Sequence, residues 1–430
     1  MNRITTRRDF LRSSAVAGSG LWFGARHARA SRASANEKLD IGVVGVANRG
    51  SANLAGVSGE NIVALCDVDD HHLRQAAVRF EGAKTYNDFR RMIDAHELDA
   101  VVVSTADHTH AAVTLTALRA GCHVYCEKPL TRTVHEARLV AETAHEAGLA
   151  TQMGTQIHAE GNYRRVVELI QSGAIGDVEQ VHVLCDKSWG GGGAPSGTHA
   201  IPEHLHWDLW LGPGAHLAYH PDYHPANWRR FWAFGGGTLT DMACHYMDLP
   251  FWALNLRHPL SVEADGPSVD EHTAPVWLVV RYRFPRGAAA SDLALTWWDG
   301  GKRPTALLAE LGLGSWRNGV LFVGAGGWLM ADYTRHELGP AAAFEDFEAP
   351  EPFLTASPGH HAEWIAACKS GGPTTCNFDY SGRLTESVLL GAVAFRTGER
   401  LDWDAEKIEA RGCPAAEPLL RREAREGWGL

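Results

Sequence analysis

The sequence predicts an α/β protein in two parts: a doubly wound parallel sheet, then an α/β domain on a large, mostly antiparallel open sheet. Three observations predict this. Between residues 39 and 155 short apolar runs alternate with longer amphipathic segments, the order of parallel strands joined by helical crossovers. Beyond residue 156 short strands succeed one another without long crossovers, as antiparallel strands do. Finally, 430 residues at 45% hydrophobic content suffice for a large core and more than one domain.

The first strands are expected at Leu39 to Val46, Ile62 to Cys66, Ala100 to Val103, His123 to Cys126 and Ala150 to Met153. Helices are expected over Asp88 to His96, His110 to Ala120 and Val134 to Ala147, and right-handed crossovers then give the doubly wound arrangement. From Gln156 the pattern changes to a helix from Tyr163 to Ser172, a strand from Val178 to Leu184, and an irregular stretch from Trp189 to Phe234. That stretch is too long for a simple connector. A helix containing Asp241 and His245 follows, then strands around Ser261 to Ala264, Pro275 to Tyr282, Ala288 to Trp298 and Gly319 to Val323, and a helical portion from Gly359 to Thr397.

At the N-terminus, Thr6-Arg7-Arg8-Asp9-Phe10-Leu11-Arg12 precedes a weakly apolar run, Ala15 to Phe23, and then Ala28-Arg29-Ala30. This resembles a twin-arginine signal cleaved after Ala30, and the run is far short of the ~20 residues of a membrane-spanning helix. The expected organisation is a signal peptide over 1–30, a linker over 31–38, a nucleotide domain over 39–155 and a C-terminal domain over 156–430. The expected location is therefore periplasmic or otherwise extracytoplasmic, with no membrane span in the mature chain.

The net charge is −11, and the leader's six arginines and one aspartate mean that cleavage would leave −16. That excludes nucleic acid as a partner, since its binding needs a basic face. The eight cysteines show no Cys-x-x-Cys spacing and mostly sit in apolar segments, so they read as buried thiols rather than a disulfide framework.

The turn after the first strand reads Gly45-Val46-Ala47-Asn48-Arg49-Gly50, a Gly-x-Ala-x-x-Gly variant of the dinucleotide fingerprint. Following a strand and opening a helix, it sets backbone N–H groups against a pyrophosphate, with Arg49 a further candidate for a phosphate. About twenty residues on, Asp67 is placed to accept the hydroxyls of the adenine ribose and to repel a 2′-phosphate, which favours NAD over NADP. Further along, Glu127-Lys128-Pro129 ends an apolar run, and Asp241 and His245 share one face of a helix at four-residue spacing. A cation, an orienting carboxylate and a general base are what oxidation of a secondary alcohol requires beside a hydride acceptor.

Taken together, Ile41 to Gly50, Asp67, Ser104-Thr105-Ala106-Asp107-His108-Thr109-His110, Glu127-Lys128-Pro129 and Gly235-Gly236-Gly237-Thr238-Leu239-Thr240-Asp241 with His245 resemble the Gfo/Idh/MocA family. The resemblance implies a Rossmann domain, a second α/β domain whose open sheet forms a homo-oligomer interface, and hydride transfer between a nicotinamide and a hydroxyl carbon. It implies catalytic roles for Lys128, Asp241 and His245, and places Ser104, Thr105, His110, Glu127, Lys128 and Gln156 at the cofactor. Asp107 departs from the family's frequent asparagine, so the amide donor expected there is lost or altered.

Between Trp189 and Phe234 lie five tryptophans with Tyr219, Tyr223, Glu203, Asp208, Arg229 and several histidines. Aromatic faces stack on the C–H faces of sugar rings, so a sugar, glycoside or polyol is the expected ligand, with His224, Trp228 and Arg229 joining Lys128, Asp241 and His245 around it. The competing role for the aromatics is packing of the long loop. His204, His206, His220 and His224 lack a third-ligand spacing, and no metal is expected. The leading function is an NAD-dependent oxidoreductase acting on such a substrate. A second is an NAD-dependent glycosidase that oxidises a hydroxyl transiently with tightly held NAD, its further acid or base drawn from Tyr223, His224, Glu203 or Asp208. A third, of another class, is a non-catalytic sugar- or nucleotide-binding protein.

Overall fold

The computed structural model describes residues 37–286 and 291–430. The expected signal peptide, most of the expected linker and the start of the strand expected from Ala288 lie outside the described residues.

The first unit runs β1 (Asp40–Val44), α1 (Arg49–Gly56), β2 (Asn61–Cys66), α2 (Asp70–Arg79), β3 (Lys84–Tyr86), α3 (Phe89–Ala95), β4 (Ala100–Val103), α4 (Asp107–Arg119), β5 (His123–Cys126), α5 (Val134–Ala147) and β6 (Thr151–Met153). Its strands lie in the order β3-β2-β1-β4-β5-β6, and every neighbouring pair is parallel. Helices cover both faces, so strands such as Ala100–Val103 and His123–Cys126 are buried at every residue and read as unbroken apolar runs. The strand order reverses between β1 and β4, which opens a crevice beyond their C-terminal ends.

The second unit comprises α6 (Gly161–Gln171), β7 (Val178–Cys185), α7 (Trp207–Leu211), α8 (Gly237–Tyr246), α9 (Asp248–Ala253), β8 (Ser261–Asp265), β9 (Val279–Phe284), β10 (Leu293–Asp299), α10 (Thr305–Glu310), β11 (Gly319–Gly324), β12 (Gly327–Ala331), β13 (His336–Gly339), α11 (His360–Ser370), α12 (Phe378–Thr397), β14 (Leu401–Asp404), β15 (Glu409–Arg411) and α13 (Glu417–Leu420). Its nine strands lie in the order β13-β12-β11-β7-β10-β9-β8-β14-β15. Only β7 and β10 pair in parallel. The predicted fold class holds in both parts.

Three local expectations change. The helical portion from Gly359 to Thr397 is two helices, because Gly371 ends the first with a φ of 72° and Gly372-Pro373 prevents its continuation. The first of them, α11, returns to the parallel sheet, where Trp364 and Cys368 pack with Ile41 and Val43. The strand expected at Pro275 to Tyr282 begins at Val279 and runs on to Phe284. Between the two sheets α12 packs against α5, with Gly382 against Ala137 and Ala141. All eight cysteines are buried and free, and no described helix is long and apolar enough to cross a membrane.

Candidate functional site

The crevice at the strand reversal is the mouth of a cleft of about 690 Å³. Its wall begins at the first glycine turn. Gly45 has a φ of 83°, and its N–H donates to Cys66 O at 2.8 Å, tying β1 to β2. A Cβ on Gly50 would lie 2.1 Å from Gly45 O, so only glycine closes this turn. Asn48, ahead of α1, makes no side-chain cap; the Gly50 amide donates to Ala47 O at 2.8 Å, and an anion would meet the rest of the helix's uncapped first turn. Asp67, at the end of β2, accepts from Val46 N at 3.0 Å and Asp69 N at 2.9 Å. It therefore fixes the glycine turn while facing the cleft. Burial raises its carboxyl above the usual carboxylate range despite those two amides.

Other cofactor candidates act less directly than the sequence suggested. Arg49 lines the cleft, but its Nε donates to Glu127 Oε1 at 3.0 Å rather than standing free for a phosphate. Glu127 Oε1 also accepts from Asn53 at 2.9 Å, so this buried carboxylate braces α1 against β5. His110 places one ring nitrogen 2.8 Å from Pro129 O and the other 3.1 Å from Thr105 O. Both partners only accept, so the two contacts together favour the doubly protonated ring. Burial opposes this, yet Cys126 and the carbonyls hold its pKa above the usual value. It pins Thr105 and Pro129 in place. Ser104, Thr105 and Ala47 line the cleft, and so does Gln156, whose Oε1 is buried without a partner among the described residues.

At the cleft's other end the two signature pairs converge. Lys128 Nζ donates to Asp241 Oδ1 at 2.8 Å and to Asp241 O at 2.6 Å. Arg229 Nε donates to the same Oδ1 at 3.0 Å, with its guanidinium 4.3 Å from the Trp228 ring centroid. Burial alone would raise the Asp241 carboxyl, but the charges of Lys128 and Arg229 prevail and hold it well below the usual carboxylate range. His245 is buried, lines the same cleft, and has no partner at Nδ1 among the described residues. Its pKa lies well below the usual imidazole value, through burial first and the Lys128 charge second. Asp241 thus orients Lys128 and Arg229, not the His245 tautomer.

Of the substrate candidates, His224, Trp228 and Arg229 line the cleft together with Trp189 and Trp210. Trp207 packs instead in a cluster with Trp210, Phe231 and Phe234, and Trp232 joins the main core. The triple glycine serves internal packing: Cβ atoms at Gly235, Gly236 and Gly237 would meet Arg229, Thr240 and Ala274 at 2.5, 2.4 and 2.4 Å. Sequence reasoning missed Asn53, a polar residue in the middle of a helix, and Trp428, which lines the cleft from the far end of the described chain. Asp107 stood out only as a departure. It is buried, lines the cleft, and its carboxylate has no hydrogen-bond partner among the described residues. Burial, with Asp241 adding and Arg229 and Lys128 opposing, pushes it up to about 7.

Ligand atoms of Asp69, His71 and His204 lie within 4.8 Å of one another beside the cleft. The His71 and His204 rings are stacked, 3.9 Å apart and 8° from parallel, so the two planes cannot both contain one ion.

Residues 13–155 match the family model described as oxidoreductase family, NAD-binding Rossmann fold, and residues 164–292 match the model of its C-terminal alpha/beta domain. The chain belongs to the Gfo/Idh/MocA oxidoreductase family. Among the family's curated members it is similar to inositol 2-dehydrogenase 2 of Saccharopolyspora erythraea, with 34% identity over 149 residues. That match covers 34% of this chain and 44% of the relative, so the chain spans less than half of that protein's length. In fold it is similar to the WlbA dehydrogenase of Bordetella pertussis, solved with NADH and UDP-GlcNAcA, at a TM-score of 0.63 and 18% identity over 87% of this chain and 99% of that one. It is also similar to the aldose-aldose oxidoreductase of Caulobacter crescentus, solved with glycerol, at a TM-score of 0.56 and 18% identity over 85% and 100% of the two chains.

The cleft fits the family's NAD. Asp67 would hold the adenine ribose and the uncapped first turn of α1 the pyrophosphate, while the orphaned Gln156 Oε1 would accept from the nicotinamide carboxamide.

Proposed function

We propose that this protein is an NAD-dependent oxidoreductase that moves hydride between the nicotinamide and a hydroxyl carbon of a sugar, glycoside or polyol. The observation that carries the reading is the joint placement of Lys128, Asp241 and His245 on one cleft with the glycine turn and Asp67. NAD, when bound, supplies the hydride acceptor. His245 is neutral at physiological pH because its pKa is depressed, so it is ready to take the hydroxyl proton. A ring held so low binds that proton well only as negative charge grows on the substrate oxygen, which ties proton removal to hydride departure. Two of the three Lys128 donors are engaged with Asp241, leaving the third for the developing alkoxide. Asp241 Oδ2 has no partner among the described residues and is available to a neighbouring hydroxyl.

The test is to incubate the protein with NAD and a panel of sugars and polyols and follow nicotinamide absorbance. No change with any of them, in protein shown to bind NAD, would remove the simple dehydrogenase reading.

Asp107 supports a second reading. A glycosidase that oxidises a ring hydroxyl, eliminates the aglycone, adds water across the resulting double bond and returns the hydride to the ketone needs a further acid or base, and Asp107 is a free carboxyl titrating near neutrality in the same cleft. His224 lines the cleft as well, whereas Asp208 pairs with Arg425 at 2.6 Å. Aglycone release without net absorbance change would establish this chemistry.

Export by the twin-arginine route to an extracytoplasmic location belongs to the same proposal, supported by the Arg7-Arg8 signature. A folded precursor carrying its nucleotide would suit that route, and fractionation of cells expressing the full chain tests it. Self-association through the nine-stranded sheet is likewise proposed, and sedimentation of the purified protein tests it.

A further inference from the structure

The proposed reaction leaves the far end of the cleft without a role. A dinucleotide whose reactive ring lies beside His245 and Gln156, and whose ribose meets Asp67, must place its base beyond Asp67. There the cleft continues along Val68, Asn87, Asp88 and Phe89, and Asn87 Nδ2 donates to Asp67 O at 3.0 Å. The parallel-sheet unit alone does not complete this end. Trp428 completes it, in the segment after α13.

The segment is fastened at three points. Arg422 Nε donates to Glu136 Oε1 at 2.7 Å and Nη2 to His108 O at 2.5 Å, anchoring it to the first unit. Arg425 donates to Asp208 Oδ1 at 2.6 Å and Gly212 O at 2.8 Å, which lie in and just after α7 of the irregular stretch. Arg90 Nη1 donates to Gly427 O at 3.2 Å, and its guanidinium lies 4.1 Å from the Trp428 ring centroid, with the Phe89 ring 6.0 Å away. The segment therefore ties together the two elements that flank the base end of the cleft, α3 and the loop after α7. Its indole is buried apart from what it contributes to the cleft wall.

We propose that Arg422–Trp428 forms a clasp over the adenosine half of the nucleotide, with the Trp428 indole as the wall against the base, so that the dinucleotide is retained between turnovers. This rests on the reading that the cleft takes NAD. An aromatic wall suits a purine because dispersion and stacking need only its flat face, and such contacts are commonly worth about tenfold or more in affinity. A clasp made of three arginine anchors acts on release more than on entry. It would make the nucleotide a resident group, as a closed redox cycle requires.

The full-length protein tests this through release of bound NADH, followed by fluorescence after displacement with excess NAD, and through calorimetric affinity for ADP-ribose, which carries the adenosine half alone. Trp428→Ala is expected to speed NADH release and weaken ADP-ribose by about tenfold each, with Trp428→Phe retaining most of both. Arg425→Ala leaves the cleft wall itself intact but unfastens the segment from α7, and is expected to speed release as well. It decides the matter if Trp428→Ala does not fold. Unchanged release in both folded variants overturns the clasp while leaving the NAD reading intact. Failure of the unaltered protein to bind either NADH or ADP-ribose overturns that reading, and the clasp with it.

Discussion

Lys128 and Asp241 meet at 2.8 Å although 113 residues separate them in the chain, one just beyond β5 of the parallel sheet, the other on α8 of the second unit. The same lysine also donates to the Asp241 backbone carbonyl at 2.6 Å, so the contact fixes the helix as well as the side chain. Reactive charge is thereby assembled only when the two units are docked. Arg229 shares the carboxylate oxygen, and one aspartate therefore balances two cations.

That sharing makes the two partners unequal. Asp241→Asn leaves Lys128 and Arg229 facing each other in a mostly buried place and is expected to cost about 3 kcal/mol of stability. Lys128→Met leaves Asp241 still paired with Arg229, so its stability cost should be clearly smaller while turnover falls by roughly 10² to 10³, the usual loss for a donor to a developing oxyanion. Urea unfolding of both variants beside steady-state rates checks the ranking. A Lys128 variant less stable than the Asp241 variant would mean that Arg229 does not share the carboxylate in solution.

His245 has a different signature. With Nδ1 unpartnered and the ring in the cleft, it holds up little of the surrounding structure through hydrogen bonds. His245→Gln should lower turnover by roughly 10² to 10⁴ and leave NADH affinity unchanged. Parallel loss of affinity and turnover would show that the ring's main work is packing.

The parts of this site legible in the sequence are those whose meaning is local. Gly45 to Gly50, Asp67 after β2, and the four-residue step from Asp241 to His245 each express a geometry fixed by the neighbouring residues. The alternation of strand and helix likewise revealed the doubly wound sheet, because burial on both faces leaves unbroken apolar strands. What the sequence concealed is set by distant contacts. The Arg49 guanidinium turns to Glu127, 78 residues away, and nothing near Arg49 signals that. The return of α11 to the first sheet, and of Trp428 to the cleft, have no local pattern either. At the glycines 235 to 237 only the fold shows what passes close, namely Arg229, Thr240 and Ala274.

Gly50 offers a test of the cofactor turn. A methyl group there would stand 2.1 Å from Gly45 O and 3.2 Å from Ser104 Cβ, and both Gly45 and Gly50 belong to the turn that presents the α1 amides. Gly50→Ala should therefore open the turn, cost about 1–3 kcal/mol through overpacking, and abolish NADH binding. Calorimetry and thermal unfolding measure the two effects. Retained binding would place the pyrophosphate away from this turn.

Asp107 makes a prediction about pH. Buried and without a hydrogen-bond partner among the described residues, its carboxyl titrates in the fold at about 7, against about 3.9 in an unfolded chain. Between those values the folded protein holds a proton that the unfolded chain has lost. The associated stability is thus fully present below about 4 and disappears as pH rises through about 7, by at most about 1.4 kcal/mol per pH unit. Asp299, also pushed up to about 7 by burial, acts in the same direction but is common to wild type and variant. The difference between wild type and Asp107→Asn isolates Asp107. Wild-type stability should fall relative to the variant from pH 4 to 7 and run parallel above about 8, as urea midpoints across that range would show. Parallel curves throughout would mean that Lys128 and Arg229 keep Asp107 ionised in the fold. It would then serve as a fixed charge rather than as the second acid of a glycosidase.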